Sequence, residues 1–449
     1  MNKKSKNINR REFIGSSAVL GVMSTMGAGS FLSPSTPLQA QRYEPRVLRD
    51  IASDGPTVKA GLIGCGGRGT GAAYNFLNSG PNVEIIALGD LFQDRLDRCR
   101  TALKQGRDVD VPDQNCFTGF DAYKRVLDTD VDMIIQATPP HFRPQHFAAA
   151  VEAKKHAFLE KPIAVDPVGV RSVMATAEKA DEEGLSVVVG TQYRNSPDRI
   201  ETFTMLKNGA IGDLVSANAY RLSGKLWHRR QEAGESDMEA MIRDWVNWNW
   251  LSGDMIVEQF IHRIDLFKWF FEKDPTKVIA FGGRARRPTG DQYDFISMDY
   301  EFDDGRKYTG MQRQIDGCYN EVREIIYGTK GYTNVENKIW DYDDNLIWEH
   351  EYPLDEQGRP MDEYSRTTIQ NQSHIDLVTA IRTNTPVNQA HELAASTLVS
   401  IMGREASYTG DLITWDDMMK SDLRLGPTEY RLGDVDIEPV APVPGIGPT

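Results

Sequence analysis

The sequence predicts an α/β chain in two parts: a parallel sheet covered by helices, then an α+β domain with an open, mostly antiparallel or mixed sheet. Three observations carry this. From residue 57, short continuous apolar runs alternate with helix-like stretches, the pattern of strands buried on both faces. A glycine-rich turn closes the first of those runs. After about residue 195 the rhythm changes to longer β-rich runs separated by turn clusters.

Taken in order, TVKAGLIGC (57–65) reads as the first buried strand, and VEIIALGD (83–90), DMIIQAT (132–138), HAFLEK (156–161) and SVVVGTQY (186–193) as four more. QDRLDRCRTALKQ (93–105) and PQHFAAAVEAKK (144–155) read as helices between them. In the second part, VSANAYRL (215–222), KVIAFGGRAR (277–286), DFISMDYEF (294–302), RKYTGMQRQI (306–315) and EVREIIYG (321–328) read as strands. The clusters Asp303-Asp304-Gly305 and Asp343-Asp344-Asn345 mark turns between strand pairs. Two helices follow, near 370–383 and 391–407. The expected domains span 57–193 and 194–430, with an arm over 41–56 and a Pro-rich tail over 431–449 that reads as loosely held.

The 449 residues carry a formal net charge of −14. That argues against nucleic acid or an anionic membrane surface as partner. Cys65, Cys99, Cys116 and Cys318 form no CxxC and match no zinc spacing. They do not suggest a disulfide-built scaffold, and they suit a chain that folds in a reducing compartment. Near the start, NRREFIG (9–15) follows Lys3, Lys4 and Lys6 and precedes a weakly apolar run to residue 32. Arg10 and Arg11 in that setting read as a twin-arginine export signal over 1–40, cleaved near PLQA–Q at 37–41. Ser, Thr and Gly interrupt the apolar run, which argues against a permanent membrane span.

GLIGCGGRG (61–69) places Gly64, Gly66 and Gly69 in a GxGxxG turn after the first strand and before a helix. The first glycine allows the tight turn, the second lets backbone approach a pyrophosphate, and the third permits close helix–strand packing. Gly67 and Arg68 belong to the same loop, whose free N–H groups at a helix start suit an anion. Asp90, at the end of the next strand, would accept hydrogen bonds from the adenosine ribose. These features predict a Rossmann domain and favour NAD; Arg95 nearby keeps NADP open.

The fifth strand ends in HAFLEKPIAV, with Glu160-Lys161-Pro162, one strand after Thr138-Pro139-Pro140; GDMIVEQFIHRIDLFKWF (253–270) lies downstream. Over nearly all of residues 57–410 the chain resembles the Gfo/Idh/MocA family, relatives of glucose–fructose oxidoreductase and inositol dehydrogenase. The resemblance implies a nicotinamide-dinucleotide site for sugars or polyols between two domains. Lys161 matches the family's active-site lysine and His262 its histidine; Glu258 stands where the family commonly has aspartate, and Asp265 matches a family acid. Thr138, Pro139, His141, Glu160 and Lys161 are expected on the cofactor side, although the turn departs from the family's Thr-Pro-Asn. Pairing of open sheets in relatives implies a homo-oligomer, dimer or tetramer.

Residues 254–271 look helical, and at about 100° per residue Glu258, His262, Asp265 and Trp269 fall on one stripe. An acid–His–acid line beside an aromatic reads as a pocket wall; a solvated face or a satisfied ion pair is the plainer alternative. Removing the hydroxyl proton while hydride leaves suits His262 as base, with Lys161 stabilising charge on oxygen and Glu258 orienting the imidazole or a hydroxyl. Arg194, Trp227 and Asp265 are further candidate substrate contacts, as is Arg221. Tryptophan faces stack on sugar rings, but Trp245, Trp248 and Trp250 read equally well as core or interface. Glu258, His262 and Asp265 have spacing that a divalent metal would tolerate, yet no further ligand motif stands out and no metal is expected.

Two enzymatic readings follow: an NAD(P)-dependent oxidoreductase of a sugar, polyol or glycoside, or a redox-neutral glycosidase that oxidises, eliminates, hydrates and re-reduces. A non-catalytic NAD-binding protein ranks lower. The export signal sharpens this. The twin-arginine machinery carries folded protein to the periplasm, where free NAD is scarce, so the cofactor is expected to be loaded first, not to dissociate, and to be recycled in place.

Overall fold

Six parallel strands form the first sheet: β1 (Val58–Ile63), β2 (Val83–Asp90), β3 (Cys116–Thr118), β4 (Met133–Gln136), β5 (His156–Leu159) and β6 (Val187–Val189), in the order β3-β2-β1-β4-β5-β6. Ala60, Leu62, Met133, Ile134 and Ile135 are all fully buried, which is why these strands read as unbroken apolar runs. Helices α1 (Gly67–Leu77), α2 (Gln93–Arg107), α3 (Ala122–Leu127), α4 (Arg143–Glu152) and α5 (Pro167–Glu182) cover the sheet. The strand order reverses between β1 and β4, so a crevice opens beyond their carboxyl ends. The three-residue β3 has no apolar run to announce it and escaped the sequence reading.

The computed structural model describes residues 42–359 and 366–445. The segment read as a twin-arginine signal lies outside the described residues, as do the last four of the tail. No helix among the described residues is long and apolar enough to cross a membrane.

After α6 (Pro197–Lys207) comes β7 (Leu214–Ser223), then the short helices α7 (Asp237–Arg243) and α8 (Asn249–Ser252), then α9 (Ile261–Phe271). Strands β8 (Lys277–Gly283), β9 (Phe295–Glu301), β10 (Lys307–Gln314), β11 (Glu321–Gly328), β12 (Gly331–Thr333), β13 (Lys338–Asp341) and β14 (Leu346–Glu349) follow. The chain ends with α10 (Arg366–Thr383), α11 (Ala390–Thr409), β15 (Ile413–Thr414) and α12 (Trp415–Lys420). The second sheet runs β14-β13-β12-β11-β7-β10-β9-β8-β15, and only β7 and β10 pair in parallel. Its inner face packs on α9 and α11. On its outer face Ile279 (54% exposed), Phe281 (69%), Phe295 (37%) and Met311 (39%) stand in the open, the period-2 alternation of a half-covered sheet.

Two connections depart from sequence order. Helix α10 packs against α1 and β6 of the first sheet, where Asn75 Nδ2 donates to Asn371 Oδ1 at 2.8 Å. The Pro-rich end is docked where it is described. Tyr293 Oη donates to the Pro442 carbonyl (2.8 Å) and Gly445 N to the Thr409 carbonyl (3.1 Å). Its side chains are otherwise largely exposed, and both partners are remote in sequence.

The turn that launches the helix bearing Glu258 rests on a buried acid cluster. Gly253 and Asp254 both take positive φ, +82° and +78°. Asp254 accepts from Tyr293 N (3.2 Å) and from the Tyr408 hydroxyl. Beside it, Asp291 Oδ1 accepts from Asn249 N (2.6 Å), while burial pushes its carboxyl up to about 7. The folded chain therefore keeps this proton where the unfolded chain has lost it, so this group's contribution to stability falls as pH rises from about 4 to about 7. Asp291→Asn keeps an oxygen acceptor without the ionisation. Urea melts at pH 4.5 and pH 8 are expected to show the variant gaining on the wild type by on the order of 3 kcal/mol across that interval. Parallel pH profiles would contradict it.

Candidate active site

β1 ends at Ile63 and the chain turns at Gly64, whose φ is +98°. A Cβ at Gly64 would lie 2.7 Å from the Ala137 carbonyl carbon, and one at Gly69 would lie 1.8 Å from the Gly64 oxygen. Nothing lies within 4 Å of a Cβ at Gly66 or Gly67. Two glycines are thus demanded by packing, and two keep a cradle empty at the start of α1, which no side chain caps. That cradle fits a dinucleotide's pyrophosphate. Asp90 lines the same cleft. Its oxygens accept from Cys65 N (2.7 Å) and Phe92 N (2.9 Å), fixing the carboxylate while each oxygen keeps acceptor capacity for a ribose. Arg95 also lines the cleft.

Thr138 and Pro139 line the cleft from the β4 side. His141 does not. It turns away to Tyr430 Oη (2.7 Å) and the edge of Trp250, and burial pulls its imidazole down to about 4. His146, one helical turn further on, lines the cleft instead. It sits 3.4 Å from Thr138 Oγ1, stacked on Tyr123, and burial together with Arg143 pulls it down to about 3. Glu160 stands behind the cleft and accepts from Arg68 Nε at 2.6 Å, so Arg68 meets the cleft and Glu160 orients it. Burial alone would push the Glu160 carboxyl up, but Arg68, Arg143 and Lys161 outweigh it and hold it below its ordinary value. Arg143, fully enclosed, donates to the carbonyls of Thr138 (2.8 Å), Glu160 (2.8 Å) and Pro162. It ties the turn after β4 to the strand end that carries Lys161.

Lys161, ahead of a cis bond to Pro162, reaches across to the second domain. Its Nζ donates to the Glu258 carbonyl (2.6 Å) and to Glu258 Oε1 (2.9 Å). The helix expected over 254–271 is present without a break, with a π turn at Ile256–Phe260 inside it ahead of α9. The wider turn re-aims Glu258, while the stripe splits further along, on α9, between His262 and Asp265. Glu258 and His262 line a cavity with Lys161, and Tyr193 meets the His262 ring edge-on at 5.4 Å. Asp265 leaves that cavity. It is buried and accepts from Arg194 Nε and Nη2 (both 2.9 Å) and from Ser396 Oγ (2.9 Å). A buried carboxylate needs such a fork, and the pairing removes both Asp265 and Arg194 from the expected substrate contacts. It also dissolves the acid–His–acid set considered for a metal, and among the described residues no group of three or more His, Cys, Asp or Glu is placed to hold one. Trp269 stacks on Phe203. Trp227 is half exposed beside Trp245, and it is Trp245 that reaches the dinucleotide cleft.

The cavity is open, about 1030 Å³. Its floor is the inner face of the second sheet, where Arg221 and Ser223 of β7 and Glu324 of β11 line it. Arg221 was legible; Ser223, Glu324, Gln192, Gln259 and Arg263 were not singled out. Their signal was available: on β7 the inner-face series Ala217, Ala219, Arg221, Ser223 turns from apolar to polar where the cavity begins.

A doubly wound parallel sheet with a glycine turn at its switch point, beside a Lys–Glu–His cavity, defines a two-domain dinucleotide-binding class. Comparison with known proteins narrows it. Residues 58–190 match the model described as "Oxidoreductase family, NAD-binding Rossmann fold", and residues 201–334 match the "GFO/IDH/MocA C-terminal domain". The chain belongs to the Gfo/Idh/MocA family. An inositol 2-dehydrogenase of Acidothermus cellulolyticus is 27% identical over 234 residues, covering 52% of this chain and 59% of that protein. A glycosyl hydrolase family 109 protein of Streptomyces coelicolor is 27% identical over 252 residues, 52% of each. The chain thus spans a little over half the length of these curated relatives. The fold matches the scyllo-inositol dehydrogenase of Lactobacillus casei solved with NAD(H) and scyllo-inositol, at 22% identity and TM-score 0.60 over 80% of this chain and 99% of that one.

The glycine geometry separates two effects. Gly66 has φ −69°, which alanine adopts freely, so Gly66→Ala should fold as the wild type does and lose bound nucleotide. Gly69→Ala must displace the Gly64 backbone and should lose roughly 2 kcal/mol or more of stability. Nucleotide per chain and thermal melts of both variants check this.

Proposed function

We propose that this protein is an exported, NAD-dependent oxidoreductase acting on a hydroxyl carbon of a sugar, polyol or glycoside, with a cofactor that does not dissociate between turnovers. The observation that carries the reading is the Lys161–Glu258 contact with His262 in the same cavity, next to the glycine cradle. A bound nicotinamide would supply the hydride acceptor. His262 takes the hydroxyl proton. Lys161, held by Glu258, offers its ammonium to the oxygen as charge develops there. The cavity carries Lys161, Arg199, Arg221 and Arg263 against Asp198, Glu258, Glu324 and Glu336. Four cations offset four carboxylates, which favours a neutral, hydroxyl-rich ligand over an anionic one.

The remaining expectations belong to the same reading. The twin-arginine segment would deliver the folded, loaded chain to the periplasm. Asp90 favours NAD, with Arg95 leaving NADP as the minor alternative. The exposed apolar outer face of the second sheet supports a homo-oligomer formed by sheet pairing. A second reading, the redox-neutral glycosidase, is favoured by the family 109 relatives.

Cofactor-loaded protein offered a panel of polyols, sugars and glycosides decides between them. Ketone product with NADH accumulation supports the oxidoreductase; aglycone release without net NADH replaces it by the glycosidase. In either case His262→Ala and Lys161→Met should lower kcat by about 10²–10⁴-fold while nucleotide content stays at the wild-type level. Unchanged turnover in both would sink the assignment.

A further inference from the structure

The segment between β7 and α9 does more than join two elements. Ile242 and Trp245 line the dinucleotide cleft, opposite the glycine loop and Asp90, although both belong to the second domain by sequence. Between them Arg243 reaches back to the first domain. Its Nη2 donates to Asp94 Oδ1 at 3.0 Å, and its guanidinium lies 3.9 Å over the Phe92 ring. Phe92 and Asp94 open α2, directly after Asp90. On its own side Arg243 is braced by Glu239 Oε1 (2.9 Å). The far edge of α7 hangs on the C-terminal segment, where Met238 N donates to the Gly433 carbonyl (3.1 Å). Phe92, Phe142, Met241 and Ile242 share one apolar cluster beneath.

We propose that residues 237–245 form a roof over the dinucleotide cleft and that Arg243 is its latch, so that bound dinucleotide leaves only when the Arg243 contact with Asp94 and Phe92 opens. This rests on the reading of the cofactor as non-dissociating and gives that property a structural cause. The Asp94 ion pair is partly exposed, so by itself it holds little. The stack on Phe92 adds to it, and both are lost together when the roof lifts. Arg243 is a positioning residue in this scheme; Ile242 and Trp245 are what the latch keeps in place.

The test uses full-length protein loaded with NAD, freed of excess nucleotide by gel filtration, with remaining bound NAD measured by absorbance and mass at timed intervals. Arg243→Ala and Asp94→Asn should each speed release by about ten-fold, and Trp245→Ala should also speed it. Lys59→Ala, which removes a surface pair with Asp130 remote from the cleft, should leave release unchanged. Wild-type protein that cannot hold NAD through gel filtration overturns the retention reading, and the latch with it. Wild-type protein that holds NAD while both Arg243→Ala and Asp94→Asn release it at the wild-type rate overturns the latch alone. Should Arg243→Ala fail to fold, Asp94→Asn decides.

Discussion

The contact between Lys161 and Glu258 is the constraint on which the site depends. One partner ends a strand of the parallel sheet, and the other sits on a π turn of the second domain. A mostly buried ion pair of this kind gives little net stability, since desolvation offsets most of the attraction. Its value is placement. The second hydrogen bond, to the Glu258 carbonyl, fixes the ammonium in direction as well as distance. Behind it, Arg143 fixes the strand end by holding three main-chain carbonyls at once. Removing any one of these would leave a buried charge or carbonyl unpaired, so the arrangement is held as a unit.

What was legible in the sequence was what is decided locally. A parallel strand buried on both faces must be apolar throughout, so β1, β2, β4 and β5 could be read directly. The requirement for glycine at 64 and 69 comes from the backbone of the turn after β4 and from the Gly64 carbonyl, and it too shows in a short motif. The α+β half was legible where strands alternate, up to β11, and not in the short β12, β13 and β14.

The rest was decided by partners far away in the chain. Asp265 lies on the expected stripe, but whether it faces substrate depends on Arg194 and Ser396, which reach it from two other elements. A helical wheel cannot anticipate a π turn, and Glu258 sits on one, whereas His262 and Asp265 both follow it on α9. His141 and His146 both follow the carboxyl end of β4; Tyr430, nearly 300 residues on, claims the first and leaves the second to the cleft. Trp227 and Trp245 were likewise distinguishable only once the connection after β7 had folded back.

That connection brings three stretches of chain together at the dinucleotide cleft. Phe92 and Phe142 come from the first sheet's loops, Met241, Ile242 and Trp250 from the connection, and Leu425, Tyr430 and Val435 from the C-terminal segment. None of the three can bury its apolar side chains without the other two. The outer wall of the cleft at Ile242 thus shares its packing with residues of the C-terminal segment. On the proposed reading, that shared wall would tie retention of the cofactor to completion of the fold, which is the property a protein exported already folded would need.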